Sequence, residues 1–508
     1  MSKQLLKNAG FNTASQLINM AVNILFVPAY IFFLGINGYG IYSFMILMFS
    51  WITILQAGID PAVIRMTAKY AAENSHANIS PLISASLLFQ LAIASLTGMA
   101  FFMSSDYLAS FIVKNETEFL IETKTALYYA AINIIILMCK NVYVSLFKGL
   151  QRYDISSIYE TLFSILASVL SLVALWLGYG IVGMIIVRLA INILSIVLLH
   201  FIAKMLISAF HFSLNIPMIL IKEIYNYASW IVIGRINRLA VNALPPIMIG
   251  MYIGPSGIAY FNISSKVVLA LNNLLASSTN VIFPFISELK ALKEKSKIAS
   301  LYIDSNRLLS FISTPLFCFG AIYSWDILYT WIGLELADNC WLLMSLFFIG
   351  YYLSSSTMIP SYFALGIGNS RILALNGFAQ TTIVILFLPY LLKYFGITGA
   401  GINLILFETA SIVTGIIITT KLINASAFIF WIKDRLLLLL ISTTIFLVFI
   451  PFKYLLWETS FTRIEMGAYL SLVFFVGVSF YVFIIKNSNL IDKRTKNQIT
   501  KIFNKTGK

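Results

Sequence analysis

Residues 228–252 read ASWIVIGRINRLAVNALPPIMIGMY. The stretch can cross a bilayer, for which about 20 mostly apolar residues suffice. It nevertheless carries Arg235 and Arg238 near its middle and Pro245-Pro246 beyond them. Arg235, Arg238 and Asn242 are spaced i, i+3, i+7, so they share one helical face. A charge at the centre of a membrane helix costs about 2.5–3.5 kcal/mol on insertion scales, so two on one face must look into protein or water. Two readings are open. Either buried acids neutralise the arginines, or the arginines form a cationic site for an anionic substrate beside a proline bend.

The rest of the chain fits that setting. Of its 508 residues 60% are hydrophobic and 11% charged. Soluble domains carry about 25% charged residues, which makes this an integral membrane protein. A net charge of +14 would suggest nucleic acid in a soluble chain. Here the charge follows topology, and no nucleic-acid partner is expected. Cys139, Cys318 and Cys340 are far apart and form no CxxC, so they are read as packing residues. His76, His200 and His211 form no metal-ligand cluster, and no GxxxxGK[ST] loop for ATP occurs. The apolar stretch after MSKQLLKNAG is too long for a signal peptide and is expected to stay as the first span.

The length rule predicts an all-α polytopic protein of fourteen spans. They fall at roughly 11–34, 40–60, 81–104, 124–147, 154–177, 181–203, 228–252, 256–283, 308–325, 341–364, 371–391, 399–420, 435–453 and 466–485. Placing the N-terminus in the cytoplasm puts 24 Lys and Arg residues on inner segments and 5 on outer ones. That bias predicts two cytoplasmic termini. Lys140, Arg188, Arg235, Arg238 and Lys266 lie within spans. The basic tail, 486–508, is expected to be drawn to anionic lipid headgroups. The outer connections are short, so no extracytoplasmic domain is expected.

The spans repeat. FVPAYIFFLGINGYG from Phe26 resembles ALPPIMIGMYIGPSG from Ala243, with Pro28 facing Pro245 or Pro246 and Gly35 facing Gly254. YGIVG from Tyr179 resembles FGITG from Phe395, and Gly149 matches Gly366. All offsets lie between 216 and 219 residues. Six spans separate the copies, so the two halves share one orientation. The expected organisation is an N-terminal lobe at 1–205, a cytoplasmic linker at 206–227, a C-terminal lobe at 228–425, appended spans at 426–485 and the tail. Proline-interrupted helices in matching positions point to a transporter's site, which singles out Pro28, Pro245 and Pro246 as hinges.

Polar faces line up with this. Asn12, Gln16, Asn19 and Asn23 form one amide face of the first span, and Asn262, Lys266, Asn273, Ser277 and Asn280 one face of the eighth. Amides offer donors and acceptors suited to sugars. The stripe Ser157, Glu160, Ser164, Ser168 and Ser171 reads more readily as helix packing. By rise per residue, Arg235, Arg238, Lys266 and Glu408 fall near the midplane, so Glu408 can pair with one of the cations. Lys140 and Glu160 lie at one depth on consecutive spans, where an ion pair is an open reading. Arg188 sits in the outer half of its span, and Asp60-Pro61 is expected to end the second. A cavity with a positive balance suits a phosphate or pyrophosphate.

LGINGYGIYSFMILMFSWITILQAGIDPAVIRMTAKY (34–70), GLQRYD (149–154), IGPSGIAYFNISSKVV (253–268) and FPFISELKA (283–291) resemble segments of bacterial polysaccharide-unit flippases. These are the O-antigen (Wzx) type of the multidrug/oligosaccharidyl-lipid/polysaccharide (MOP) superfamily. The resemblance covers roughly Met1 to Ala425 in several loose motifs. It implies an inner-membrane carrier, with no covalent chemistry and no cofactor, that moves an undecaprenyl-pyrophosphate-linked oligosaccharide to the outer leaflet by alternating access. Arg235, Arg238 and Lys266 would bind the pyrophosphate. Asn12, Gln16, Asn19, Asn23, Asn242, Asn262 and Asn273 would line the path or contact sugar. Some relatives couple transport to ions, so a proton or sodium gradient is an expectation, with Lys140, Glu160, Arg188 and Glu408 as ion-pair or coupling residues. The implied partners are the lipid-linked oligosaccharide, membrane lipids, a polymerase and a chain-length regulator. Members often show Asp-x-Gly at the end of the second span, where this chain has Gln56-Ala57-Gly58. Most such flippases have twelve helices, whereas lipid II flippases have fourteen. A lipid II-type flippase, a multidrug exporter and a membrane polymerase remain as alternatives. The exporter would want acidic groups, and the polymerase a large outer loop.

Overall fold

A computed structural model describes residues 3–55, 59–73, 75–207, 211–212, 241–280, 282, 286, 289–290, 292, 295–367, 369–422, 425–456 and 462–487. Arg235, Arg238, Gln56-Ala57-Gly58 and most of the expected linker and tail lie outside them. The described residues contain helices and no strand. Eleven of these helices are each long and apolar enough to cross a bilayer, and a bent pair makes a twelfth. The protein is a multi-pass membrane protein.

The first lobe contains α1 (Lys3–Leu25), α2 (Val27–Leu55), α3 (Ile59–Ala72), α4 (Ile79–Met103), α5 (Ser105–Val113), α6 (Leu120–Gly149), α7 (Tyr153–Trp176) and α8 (Gly180–Leu206). A helix over 241–252, α9, follows, and then α10 (Pro255–Asn280). The expected first span is divided between α1 and the start of α2. The break falls at Phe26, two residues before Pro28, whose ring crowds the preceding turn and which has no N–H to give. Within α2 the chain turns at Gly35, where φ is +67°. Gly254 holds φ +108° at the matching position of the second copy. Both angles favour a residue without Cβ.

Asp60-Pro61 does not end the second span. The pair opens a separate helix, α3, where proline's missing N–H would have no partner anyway and aspartate faces the positive end of the helix dipole. Ile59, Ala62, Val63, Met66 and Thr67 form the buried face of α3 at i, i+3, i+4, i+7, i+8 spacing. That face meets α6 closely. A Cβ on Gly149 would stand 2.9 Å from the Ile64 carbonyl oxygen and 2.7 Å from Thr67 Cβ. Ile59, Val63, Ile83, Val142, Phe147 and Leu199 make one continuous apolar core with it.

The remaining helices are α11 (Lys295–Ile322), α12 (Ser324–Trp331), α13 (Leu334–Gly366), α14 (Ser370–Phe395), α15 (Thr398–Leu422), α16 (Ala425–Leu456) and α17 (Arg463–Asn487). α11 and α12 meet at a 72° bend. The short helices α5 and α12 were not expected from the sequence. Each begins at a serine, carries an aspartate in its first turn, and starts 219 residues from the other. The last two helices are not loosely attached. Cys318, Tyr323, Phe446, Met466, Tyr469 and Val473 form one core across α11, α12, α16 and α17. Tyr323 donates its hydroxyl to the Phe446 carbonyl at 2.9 Å, and Phe311 stacks on Tyr481 at 5.4 Å.

The chain divides into two compact units, Met1–Ala259 and Tyr260–Lys508. Their boundary falls inside α10, after the linker read from the sequence at 206–227.

Candidate functional site

Five helices of the first unit, α1, α2, α6, α7 and α8, enclose a cavity of about 590 Å³. Each contributes one face. α1 supplies Asn12, Ser15, Gln16, Asn19 and Asn23. Its packing explains why this face points inward. Ser15, buried, donates to the Ser157 carbonyl at 3.2 Å and meets the Thr161 hydroxyl at 2.6 Å, which seats α1 on α7. The amides one turn either side then border the cavity, while Leu17 and Ile18 are exposed. The serine stripe of α7 is divided. Ser157, Ser168 and Ser171 are buried, while Glu160 and Ser164 line the cavity.

α6 contributes Asn133, Lys140, Asn141 and Lys148, and α8 contributes Arg188, Asn192 and Ser195. Lys140 Nζ donates to Asn192 Oδ1 at 3.0 Å, and Asn192 Nδ2 donates to Asn133 Oδ1 at 2.9 Å. Arg188 Nε donates to the Tyr42 hydroxyl at 3.0 Å, with the guanidinium carbon 5.7 Å from that ring's centre. Both cations therefore rest on neutral groups. Lys140 and Glu160 are not a contact pair. Glu160 Oε2 lies 3.4 Å from Lys148 Nζ instead, because Lys148 stands on the same side of α6 about two turns along. Glu160 attracts Lys140 only through space. The cavity wall thus holds Lys140, Lys148 and Arg188 against one carboxylate among the described residues.

Asn242 is exposed on α9, whose helix runs through Pro245 and Pro246 within 241–252. Asn262 and Lys266 are half-buried and Asn273 exposed on α10, in the second unit. Glu408 is buried on α15, with the Ser354 and Ser411 hydroxyls as hydrogen-bonding neighbours. Gln380 and Asn376 in turn donate to Ser411. The structure adds Tyr42, Asn133, Asn141, Lys148 and Asn192 to the site. The α6 set was readable in principle, since Asn133, Lys140, Asn141 and Lys148 recur at i, i+7, i+8, i+15.

Comparison with known proteins bears on this arrangement. Residues 5–290 match the family model described as polysaccharide biosynthesis protein. The first-hairpin, GLQRYD and second-lobe motifs lie in or overlap that region. A candidate O-antigen transporter of Shigella flexneri is 22% identical over 379 residues, covering 73% of this chain and 87% of that protein. Among solved structures, the lipid II flippase MurJ in an inward closed conformation matches with a TM-score of 0.71 at 13% identity, covering 94% of this chain and 98% of that one. An inward-facing multidrug resistance MATE family transporter of the MOP superfamily matches with a TM-score of 0.66 at 14% identity, covering 82% and 98%. At these identities the likeness to the two structures is one of fold.

Proposed function

The chain belongs to the polysaccharide biosynthesis protein family, and from that premise we propose that it is a flippase for a lipid-linked oligosaccharide. The substrate is an undecaprenyl-pyrophosphate-linked repeat unit of O-antigen, capsule or exopolysaccharide, moved from the inner to the outer leaflet of the bacterial inner membrane. The observation that carries this reading is the first-unit cavity, which joins an amide face to three cations and one carboxylate. Amides pair with sugar hydroxyls in both directions, while Lys and Arg hold phosphate oxygens. Asn12, Gln16, Asn19 and Asn23 take the sugar. Lys140 and Arg188 hold the anion in this cavity; Arg235, Arg238 and Lys266 stay proposed as pyrophosphate-binding residues on sequence grounds alone. The interruption beside Pro28 is the hinge of the first lobe; the expected hinge at Pro245 and Pro246 has no matching break, because α9 continues as helix through both prolines. Glu408 is the carboxyl through which a proton or sodium gradient would act.

A multidrug exporter with this fold would need acidic groups for cationic drugs. The cavity offers Glu160 alone among its described lining residues, and Lys148 already engages it.

The test is polymer at the cell surface. Deleting the gene should remove it and leave lipid-linked units on the inner leaflet. Unchanged surface polymer overturns the function. Lys140→Gln with Arg188→Gln, and separately Arg235→Ala with Arg238→Ala, should abolish export while the protein still reaches the membrane. Normal export by either well-expressed double variant removes that pair from the site.

A further inference from the structure

We propose that Glu160 is the resident counter-anion of the first-unit cavity, paired with Lys148 and yielding it to an anionic group of the substrate. The anion is a phosphate or a sugar carboxylate. This rests on reading the cavity as the site of an anionic lipid-linked saccharide.

The geometry separates two kinds of cation in one wall. Lys140 and Arg188 are held by neutral partners, Asn192 and Tyr42. No described carboxylate lies within ion-pair distance of either. Their positive charge is thus available to an incoming group. Lys148 is different, because Glu160 already sits on it. That pair is built to open. Its 3.4 Å separation exceeds the roughly 2.7–2.9 Å of a tight charge-assisted hydrogen bond. The side chains are 26% and 39% exposed, so water can replace each partner.

A diphosphate or a uronate entering this wall gains most by recruiting Lys148 beside Lys140, which means displacing Glu160. Once displaced, the carboxylate shares a small space with a like charge and repels it. Glu160 therefore weakens holding and favours release, as a carrier requires. Removing its charge should make a tighter binder.

The measurement is calorimetric titration of the full-length protein in zwitterionic nanodiscs. Inorganic pyrophosphate is the probe in one arm and glucuronate in the other. Glu160→Gln should bind the responding probe about two- to fivefold more tightly, the range carried by a half-exposed ion pair. Glu160→Asp should behave as wild type. Lys148→Gln should weaken binding, because the freed Glu160 turns to Lys140, and adding Glu160→Gln should restore it. A response to pyrophosphate alone assigns the anion to the phosphate, and a response to glucuronate assigns it to the sugar. Equal or weaker binding by Glu160→Gln, or no binding of either probe by any variant, overturns the proposal. The cellular export assay is independent. Normal wild-type export with unaltered Glu160→Gln affinity sinks the counter-anion and spares the flippase. Tighter Glu160→Gln binding without polymer export keeps the counter-anion and sinks the flippase.

Discussion

Lys453, near the end of α16, is ion-paired with Asp326 in the first turn of α12. The two side chains are only 18% and 9% exposed, and the ammonium also lies 5.0 Å from the centre of the Trp325 ring. The helix that sequence reasoning appended to the second lobe is thus fastened to that lobe's short helix by a poorly solvated charge pair. It contrasts with Lys148 and Glu160, whose looser contact is half open to water.

Breaking the tight pair should cost stability. Lys453→Met leaves Asp326 charged and poorly solvated, a loss of about 3 kcal/mol. Asp326→Asn should do similar harm. The double variant should recover much of the loss, read as the unfolding midpoint in detergent. Single variants as stable as wild type would show that the pair contributes nothing.

Lys140→Met should behave in the opposite way. Its hydrogen-bond partner is the Asn192 amide, so no carboxylate is orphaned, and the loss is about 1 kcal/mol for that hydrogen bond. Protein in the membrane should stay near normal while surface polymer falls. A collapse in protein level would make Lys140 structural.

Gly40 should not tolerate a side chain. A Cβ there would lie 1.9 Å from the Pro255 carbonyl oxygen, so α2 and the start of α10 must separate. Gly40→Ala should destabilise by more than the roughly 1–3 kcal/mol of ordinary overpacking, since the obstacle is backbone. Gly10→Ala is the control, with nothing within 4 Å of its Cβ. Equal stability of the two variants would refute the close approach.

The charge bias predicts topology. Reporter fusions after Arg152 and Lys295 should report cytoplasm, and fusions near Glu116 should report the outside. An outside signal at Lys295 would overturn the assigned orientation.

Much of this was legible in the sequence, because a membrane simplifies the problem. Spans follow from apolar length, so the helices at 154–177, 181–203 and 399–420 lie within about three residues of the observed ones. The amide face of α1 was legible for a similar reason, since helical spacing fixes which side chains share a side. Partners were less legible. Depth along a helix gives height but not direction around the axis, so a Lys140–Glu160 pair was only one open reading, and Lys148 holds the carboxylate instead. Asp60-Pro61 was misplaced because apolarity alone cannot tell a span's last turn from the first turn of α3. The helices α5 and α12 were invisible to a length rule, having 9 and 8 residues.

Those two short helices also extend the internal repeat. Both halves have one, at the spacing that also relates Gly35 to Gly254. The halves therefore agree in backbone at the kinked glycine and the short helix. Arg188 and Glu408 have no counterpart of their own charge at the corresponding offset, so the two halves differ in chemistry where they agree in shape.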